Sequence, residues 1–189
     1  MSAEPSIASE KARLRAAVLA RRDQLDIDTR LEADEAIAAQ VLALEALADM
    51  AGPVAGYWPM RSEADPRPIM AGLAARGIPL CLPAIVDGRL EFRDWPLWGP
   101  LVPGGFGTLV PPPDAAIVSP AAFLVPLAAF DARGHRLGYG KGFYDGALAA
   151  HPAARRIGIA YAAQEVERVP AEPHDMPLEM IVTERGVRT

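Results

Sequence analysis

Apolar positions recur along this chain at two spacings, helical near the start and strand-like through the middle and the end. From Ser9 to about Leu25, Leu14, Val18 and Leu25 trace one side of a helix, with Leu19 beside them and Ser6 or Ser9 as its cap. A second stripe, Ile37, Val41, Leu44 and Leu47, predicts a helix from Asp28 to about Ala48, capped by Asp28 and closed off by Gly52-Pro53. Short apolar runs bounded by Gly and Pro predict strands at 54–58 and 78–82. Between them a helix opens at Pro66, buries Ile69, Met70 and Leu73, and runs to about Arg76. Strand, helix and strand at this spacing predict a βαβ unit with a parallel pair. Residues 85–95 predict a hairpin turning at Asp87-Gly88, a pair that accepts positive φ at both central positions. Further strands are expected at 116–118, 123–130, 156–161 and 180–183, with a helix at 143–150 and a short connector at 164–169. Residues 96–113, broken by six prolines, read as a long loop with no helix or strand of its own. The alternation predicts one α/β domain over residues 1–189, a mostly parallel central sheet with helices on both faces.

Composition narrows this picture. A hydrophobic fraction of 51% over 189 residues supplies a core without cross-links. Cys81 is the only cysteine and sits in the apolar run IPLCLPA, so a buried thiol in a reducing cytoplasm is expected. The net charge of −5 argues against nucleic-acid binding, because phosphate-tracking surfaces are basic. No apolar run approaches the roughly 18 residues that span a bilayer, and no charged-then-apolar leader is visible, so neither a membrane nor export is expected. A monomer acting on small molecules is the expectation.

Chemistry concentrates in Gly134 to Asp145, GHRLGYGKGFYD, between a strand and a helix. Glycine-freed amides followed by a helix N-terminus form an anion cradle. The spacing fits neither a P-loop, since Gly142 stands where Ser or Thr would follow Lys141, nor the G-x-G-x-x-G dinucleotide pattern. A plain glycine-rich turn is therefore an open alternative. The residues around the glycines tilt the balance. Arg136 and Lys141 compensate phosphate charge, Gly138, Gly140 and Gly142 permit close approach, and Tyr139, Phe143 and Tyr144 offer flat or hydrogen-bonding walls. Asp145 falls in the first helical turn, where a carboxylate holds a hard cation beside phosphate. Lys11 and Arg15, four apart, share one helix face, which is either a solvated face or a cationic pair aimed at phosphate. Trp95, Trp98 and Phe106 either wall a flat ligand or plug a minor core.

At these residues the chain resembles the 5-formyltetrahydrofolate cyclo-ligase family, also called 5,10-methenyltetrahydrofolate synthetases. The family segment VPGLAFD-x-x-G-x-RLG-x-G-x-G-[YF]-YD is similar to Val125-Pro126-Leu127-Ala128-Ala129-Phe130-Asp131, Gly134, Arg136-Leu137-Gly138, Gly140, Gly142 and Phe143-Tyr144-Asp145, with Leu127-Ala128 in place of Gly-Leu. The likeness extends to a K-x-x-x-R at Lys11 and Arg15, a loop glutamate at Glu63, and the tail residues Ile157-Gly158-Ile159-Ala160, Gln164, Pro170, His174-Asp175 and Ile181-Val182-Thr183-Glu184. Many members carry Glu-Pro where this chain has Val110-Pro111.

The resemblance implies an ATP- and Mg2+-dependent cyclisation of 5-formyltetrahydrofolate to 5,10-methenyltetrahydrofolate through an iminium phosphate, with ATP and a reduced folate as partners. It implies that Lys11, Arg15, Arg136 and Lys141 offset triphosphate charge, with Lys141 and Arg136 acting in catalysis. Leu137, Gly138, Tyr139, Gly140, Gly142, Phe143 and Tyr144 complete the nucleotide site, and Asp145 and Asp175 hold magnesium. Glu63 orients the pterin, with Trp58 and Tyr139 as walls and Trp98 and Phe106 as further candidates. His174 assists by hydrogen bonding, whereas His135 reads as an exposed bystander. Two rivals are an inactive nucleotide- or folate-binding module of the same fold, and an isomerase or coenzyme A transferase on a related sheet.

Overall fold

The computed structural model describes residues 6–48, 50–172 and 175–189. Helix α1 (Ile7–Asp23) begins at Ser6, whose hydroxyl accepts from the Ser9 amide at 3.3 Å. Helix α2 (Ile27–Leu42) begins earlier than expected: Asp26 rather than Asp28 is the cap, accepting from the Thr29 amide at 2.8 Å. It also ends sooner, at Leu42, and Glu45–Leu47 follow as a separate 3-10 turn.

Strand β1 (Val54–Ala55) is shorter than the apolar run 54–58 predicts, and α3 (Arg67–Ala75) links it to β2 (Leu80–Val86). β1 and β2 are parallel, as the spacing predicts. The hairpin from β2 to β3 (Arg89–Asp94) turns at Asp87 and Gly88, both at positive φ (46° and 74°). The stretch expected to lack structure folds into a small antiparallel pair, β4 (Val102–Pro103) and β5 (Leu109–Val110), around a turn at Gly105–Gly107. Residues 116–118 contribute only an isolated bridge from Ile117 to Arg93.

The apolar run 123–130 splits in two, β6 (Ala122–Pro126) and β7 (Ala129–Phe130), and β7 pairs with β8 (Arg136–Leu137). Between them the carbonyls of Leu127 and Ala128 turn to the buried Gln164 side-chain amide (2.6 and 3.3 Å) instead of a ladder. Helix α4 (Phe143–Ala150), β9 (Arg155–Ile159), β10 (Met180–Thr183) and β11 (Gly186–Arg188) complete the order.

The central sheet runs β11-β10-β9-β6-β1-β2-β3, parallel except at its two edge pairs. Alternating side chains divide the interior into two cores. Val54, Leu80, Leu82, Leu124, Ile157 and Ile159 meet Ile37 and Val41 of α2 and Ile69, Met70 and Leu73 of α3. Ala55, Cys81, Phe123 and Val125 face the other way and meet Ala147 and Leu148 of α4. The fold class is thus the expected α/β sheet with helices on both faces. α1 stands apart from these layers, and its Val18 packs on Ala129, Leu137 and Val169. The chain leaves β1 toward β2 on one side and later returns to place β6 on the other. The crevice beyond the carboxyl ends at such a reversal is where open α/β sheets bind ligands.

Candidate active site

Beyond β1 the chain leaves the sheet and closes on itself. The buried Tyr57 hydroxyl donates to the Ala64 carbonyl at 2.7 Å. Asp34 of α2 accepts from the Asp65 amide (3.0 Å) and from the Tyr161 hydroxyl (2.9 Å), which fixes the far end of the loop. Glu63 is thereby held inside, 6% exposed. Its Oε2 accepts from the Met60 amide at 2.7 Å, while Oε1 is buried with no hydrogen-bond partner among the described residues. Burial raises the Glu63 pKa above its ordinary value, and the nearby Tyr139 hydroxyl, the Met60 amide and the Arg22 charge only partly offset this.

Beyond β6 the β7–β8 hairpin carries the glycine loop. Fully buried Asp131 accepts from the Val169 and Arg133 amides, both at 2.9 Å. Burial alone would raise its pKa, but these bonds and the Arg133 charge outweigh burial and hold the pKa below the ordinary value. Gly134 turns the hairpin at φ 78°, where a side chain would meet the Leu178 carbonyl at 2.7 Å. Arg136 donates to Asp145 at 2.7 Å and to the Met176 carbonyl, so the start of the loop is fastened to α4. Gly142 caps α4 in the left-handed region, with no side chain bonded to the helix end. Among the described residues the amides of Tyr139 to Gly142 donate to nothing. They are free for an anion.

Helix α1 closes the third side. Lys11 lies 2.7 Å from Asp175 and 2.8 Å from Glu172. Burial alone would lower the Lys11 pKa, but these two carboxylates raise it. Arg15 donates to the Gly138 carbonyl at 2.7 Å. Lys141 stands 5.8 Å over the Phe106 ring and makes no ion pair among the described residues. One cavity of about 710 Å³ is lined by Lys11, Arg15, Trp58, Glu63, Phe106, Val110, residues 136–145, Glu172 and Asp175.

A profile of the 5-formyltetrahydrofolate cyclo-ligase family matches residues 7–184. The chain belongs to this cyclo-ligase family. It is 34% identical over 143 residues to the 5-formyltetrahydrofolate cyclo-ligase of Escherichia coli K12, covering 71% of this chain and 79% of that one. The Mycolicibacterium smegmatis cyclo-ligase is 35% identical over 149 residues, covering 71% and 75%. Among solved structures, the Aquifex aeolicus 5,10-methenyltetrahydrofolate synthetase superposes with a TM-score of 0.83 at 30% identity, over 94% of this chain and 91% of that one. The Mycoplasma pneumoniae synthetase gives 0.76 at 24% identity, a likeness of fold, over 93% and 99%. The expectation of an enzyme of the cyclo-ligase family is met.

In this cyclo-ligase-family chain, Lys11, Arg15, Trp58, Glu63, Asp175 and residues 136–145, the positions expected to meet nucleotide, folate or metal, all line this cavity. Asp145 is engaged by Arg136, and Asp175 by Lys11. Trp98, a further candidate wall, lies outside the cavity lining, 64% exposed, and Trp95 is buried core. They form a ring chain, Trp58 to Trp95 at 6.3 Å and Trp95 to Trp98 at 6.5 Å, of which only Trp58 reaches the cavity. His135 is half-buried rather than exposed, beside Asp131 at 3.7 Å and outside the lining. His174 lies outside the described residues. Two residues at or behind the cavity escape sequence reasoning, Glu172 in its lining and Arg22 behind it. Glu172 carries no motif around it. Arg22 does carry a signal, since Lys11, Arg15, Val18 and Arg22 recur at helical spacing.

Proposed function

We propose that this chain converts 5-formyltetrahydrofolate to 5,10-methenyltetrahydrofolate, coupled to cleavage of ATP to ADP and phosphate. One observation carries the reading. A single cavity joins unpaired glycine-loop amides and three cations to a buried carboxylate, Glu63, whose Oε1 has no partner among the described residues. The first group suits a triphosphate, and the second suits the amino and ring N–H donors of a pterin.

A formamide oxygen is a poor leaving group. Transfer of the γ-phosphoryl group onto it makes that oxygen part of a phosphate. N10 then attacks the formyl carbon, its proton is lost, and phosphate departs with the former formyl oxygen. The protein's share is positioning and charge neutralisation. Lys11, Arg15 and Lys141 face the phosphates, and the amides of 139–142 cradle them. Arg136 acts at this centre and also orients Asp145. Glu63 holds the pterin, against Trp58 and Tyr139. Among the described residues no three His, Cys, Asp or Glu side chains form a metal cage. Two carboxylates lining one cavity, Asp145 and Asp175, suit magnesium, which is held by one or two carboxylates together with phosphate oxygens and water. Asp145 and Asp175 would hold it, and it would neutralise phosphate charge.

The proposal includes a monomer, and a reducing cytoplasm in keeping with the lone, fully buried Cys81. Among the described residues no helix is long and apolar enough to cross a membrane. The test is the long-wave absorbance of the methenyl product after mixing protein, magnesium, ATP and 5-formyltetrahydrofolate. An ATP-dependent rise is expected. Its absence, with folate still bound, would favour an inactive binding module instead.

A further inference from the structure

Arg22 is 2% exposed, among the most deeply buried side chains in the molecule. A guanidinium so placed needs partners that fill its donors. Among the described residues it forms no salt bridge. Nε donates to the Ser62 hydroxyl at 3.0 Å and one terminal nitrogen donates to the Tyr139 hydroxyl at 2.9 Å. Ser62 in turn donates to the Asp23 carboxylate, the next residue on α1. Arg22 itself is not part of the cavity lining.

The two partners belong to different loops. Ser62 immediately precedes Glu63 in the loop after β1, and Tyr139 lies in the glycine loop after β8. Both Glu63 and Tyr139 line the cavity. One buried cation therefore joins the pterin side of the site to its nucleotide side, from beneath. We propose that Arg22 is a positioning residue that ties Ser62 to Tyr139 and so fixes where Glu63 and the Tyr139 ring meet the folate. This rests on the reading of Glu63 as the pterin acceptor. The Arg22 charge also favours the ionised form of Glu63, adding to the larger effects of the Tyr139 hydroxyl and the Met60 amide. Lys11 and Arg15, on the same face of α1, serve the phosphate side, so the helix divides its cations between the two substrates.

The experiment compares steady-state kinetics of the full chain with Arg22→Met, Arg22→Lys, Ser62→Ala and Tyr139→Phe, varying 5-formyltetrahydrofolate and ATP separately and recording thermal melts alongside. Arg22→Met is expected to raise the folate KM by about tenfold or more while the ATP KM stays within about twofold. Arg22→Lys, which keeps the charge but not the fork, is expected to recover part of that loss. Combining Arg22→Met with Tyr139→Phe is expected to cost less than the product of the two single effects, since both remove the same bond. Equal losses for both substrates, or multiplicative effects in the double variant, would overturn the proposal and leave Arg22 a fold-stabilising residue. Should Arg22→Met fail to fold, Ser62→Ala and Tyr139→Phe carry the test: an unchanged folate KM in both overturns it. No turnover in the wild type would sink the functional reading, and this proposal with it.

Discussion

Arg136 and Asp145 form an ion pair at 2.7 Å that links the strand before the glycine loop to the helix after it. The arginine side chain is 4% exposed and the aspartate 28%. Burial lowers the Arg136 pKa, and the Asp145 charge opposes that shift. Removing the cation leaves the Met176 carbonyl without this donor and Asp145 with the weaker bond from the Met176 amide at 3.3 Å. Because Asp145 retains partial access to water, the cost falls below that of a fully buried pair. Arg136→Met is expected to destabilise the chain by about 2 kcal/mol, read as a lower denaturant midpoint at unchanged slope.

Two glycines of the same loop separate conformation from space. Gly142 sits at φ 67° with nothing within 4 Å of the place a Cβ would take, so Gly142→Ala bears only the left-handed penalty, about 1 kcal/mol. Gly134, at φ 78°, would also drive its Cβ to 2.7 Å from the Leu178 carbonyl. Gly134→Ala is expected to cost at least about 2 kcal/mol. Denaturant titration of the two variants side by side checks the order. Equal losses would contradict the packing at Leu178.

Glu63 yields a pH prediction of two parts. Burial raises its pKa, so the folded chain binds this proton more tightly than the unfolded chain does. Stability from this group is therefore present at pH below the unfolded value and is lost as pH rises through the raised folded value. On the proposed role of Glu63 as the pterin acceptor, binding needs the carboxylate, so kcat/KM for folate is expected to rise over that same window. Glu63→Gln is expected to flatten both trends. It should lose folate affinity by at least about tenfold without a lower melting temperature at neutral pH. A variant that keeps its folate KM would contradict the assignment.

Cys81 lies fully buried within the sheet, and burial pushes its thiol up to about 12. A neutral, enclosed thiol is a poor nucleophile. Iodoacetamide is expected to leave it unmodified at neutral pH in the native chain and to alkylate it fully in denaturant, as mass spectrometry would show. Native alkylation at a rate near that of a free thiol would contradict the packing around it.

Local chemistry made much of the fold legible. The βαβ unit follows from apolar runs bounded by Gly and Pro, and the β2–β3 turn from Asp87-Gly88. Long-range partners hid the rest. Residues 54–58 look like one strand, yet Tyr57 finds its acceptor at Ala64 and takes the chain out of the sheet to build the site. Residues 123–130 look equally continuous, but Gln164 captures the Leu127 and Ala128 carbonyls from far along the chain. The prolines of 96–113 mask the short β4–β5 pair, because only a few of its amides are needed for pairing. Within the site, the glycine loop and its charges stand out because they are contiguous. Arg22 does not, although its spacing from Lys11 and Arg15 is visible, because its partners Ser62 and Tyr139 come together only in the folded chain.

The central claim is that one cavity brings an ATP-binding glycine loop to a folate held by Glu63. Its most direct test is methenyl absorbance in the wild type and in the Lys141→Ala, Asp145→Ala double variant, with magnesium, ATP and 5-formyltetrahydrofolate present. The wild type is expected to show an ATP-dependent rise, and the double variant at least about a hundredfold slower one, since it loses the proposed phosphate-facing cation and the proposed magnesium carboxylate together. A rise at wild-type rate in the double variant would contradict the account.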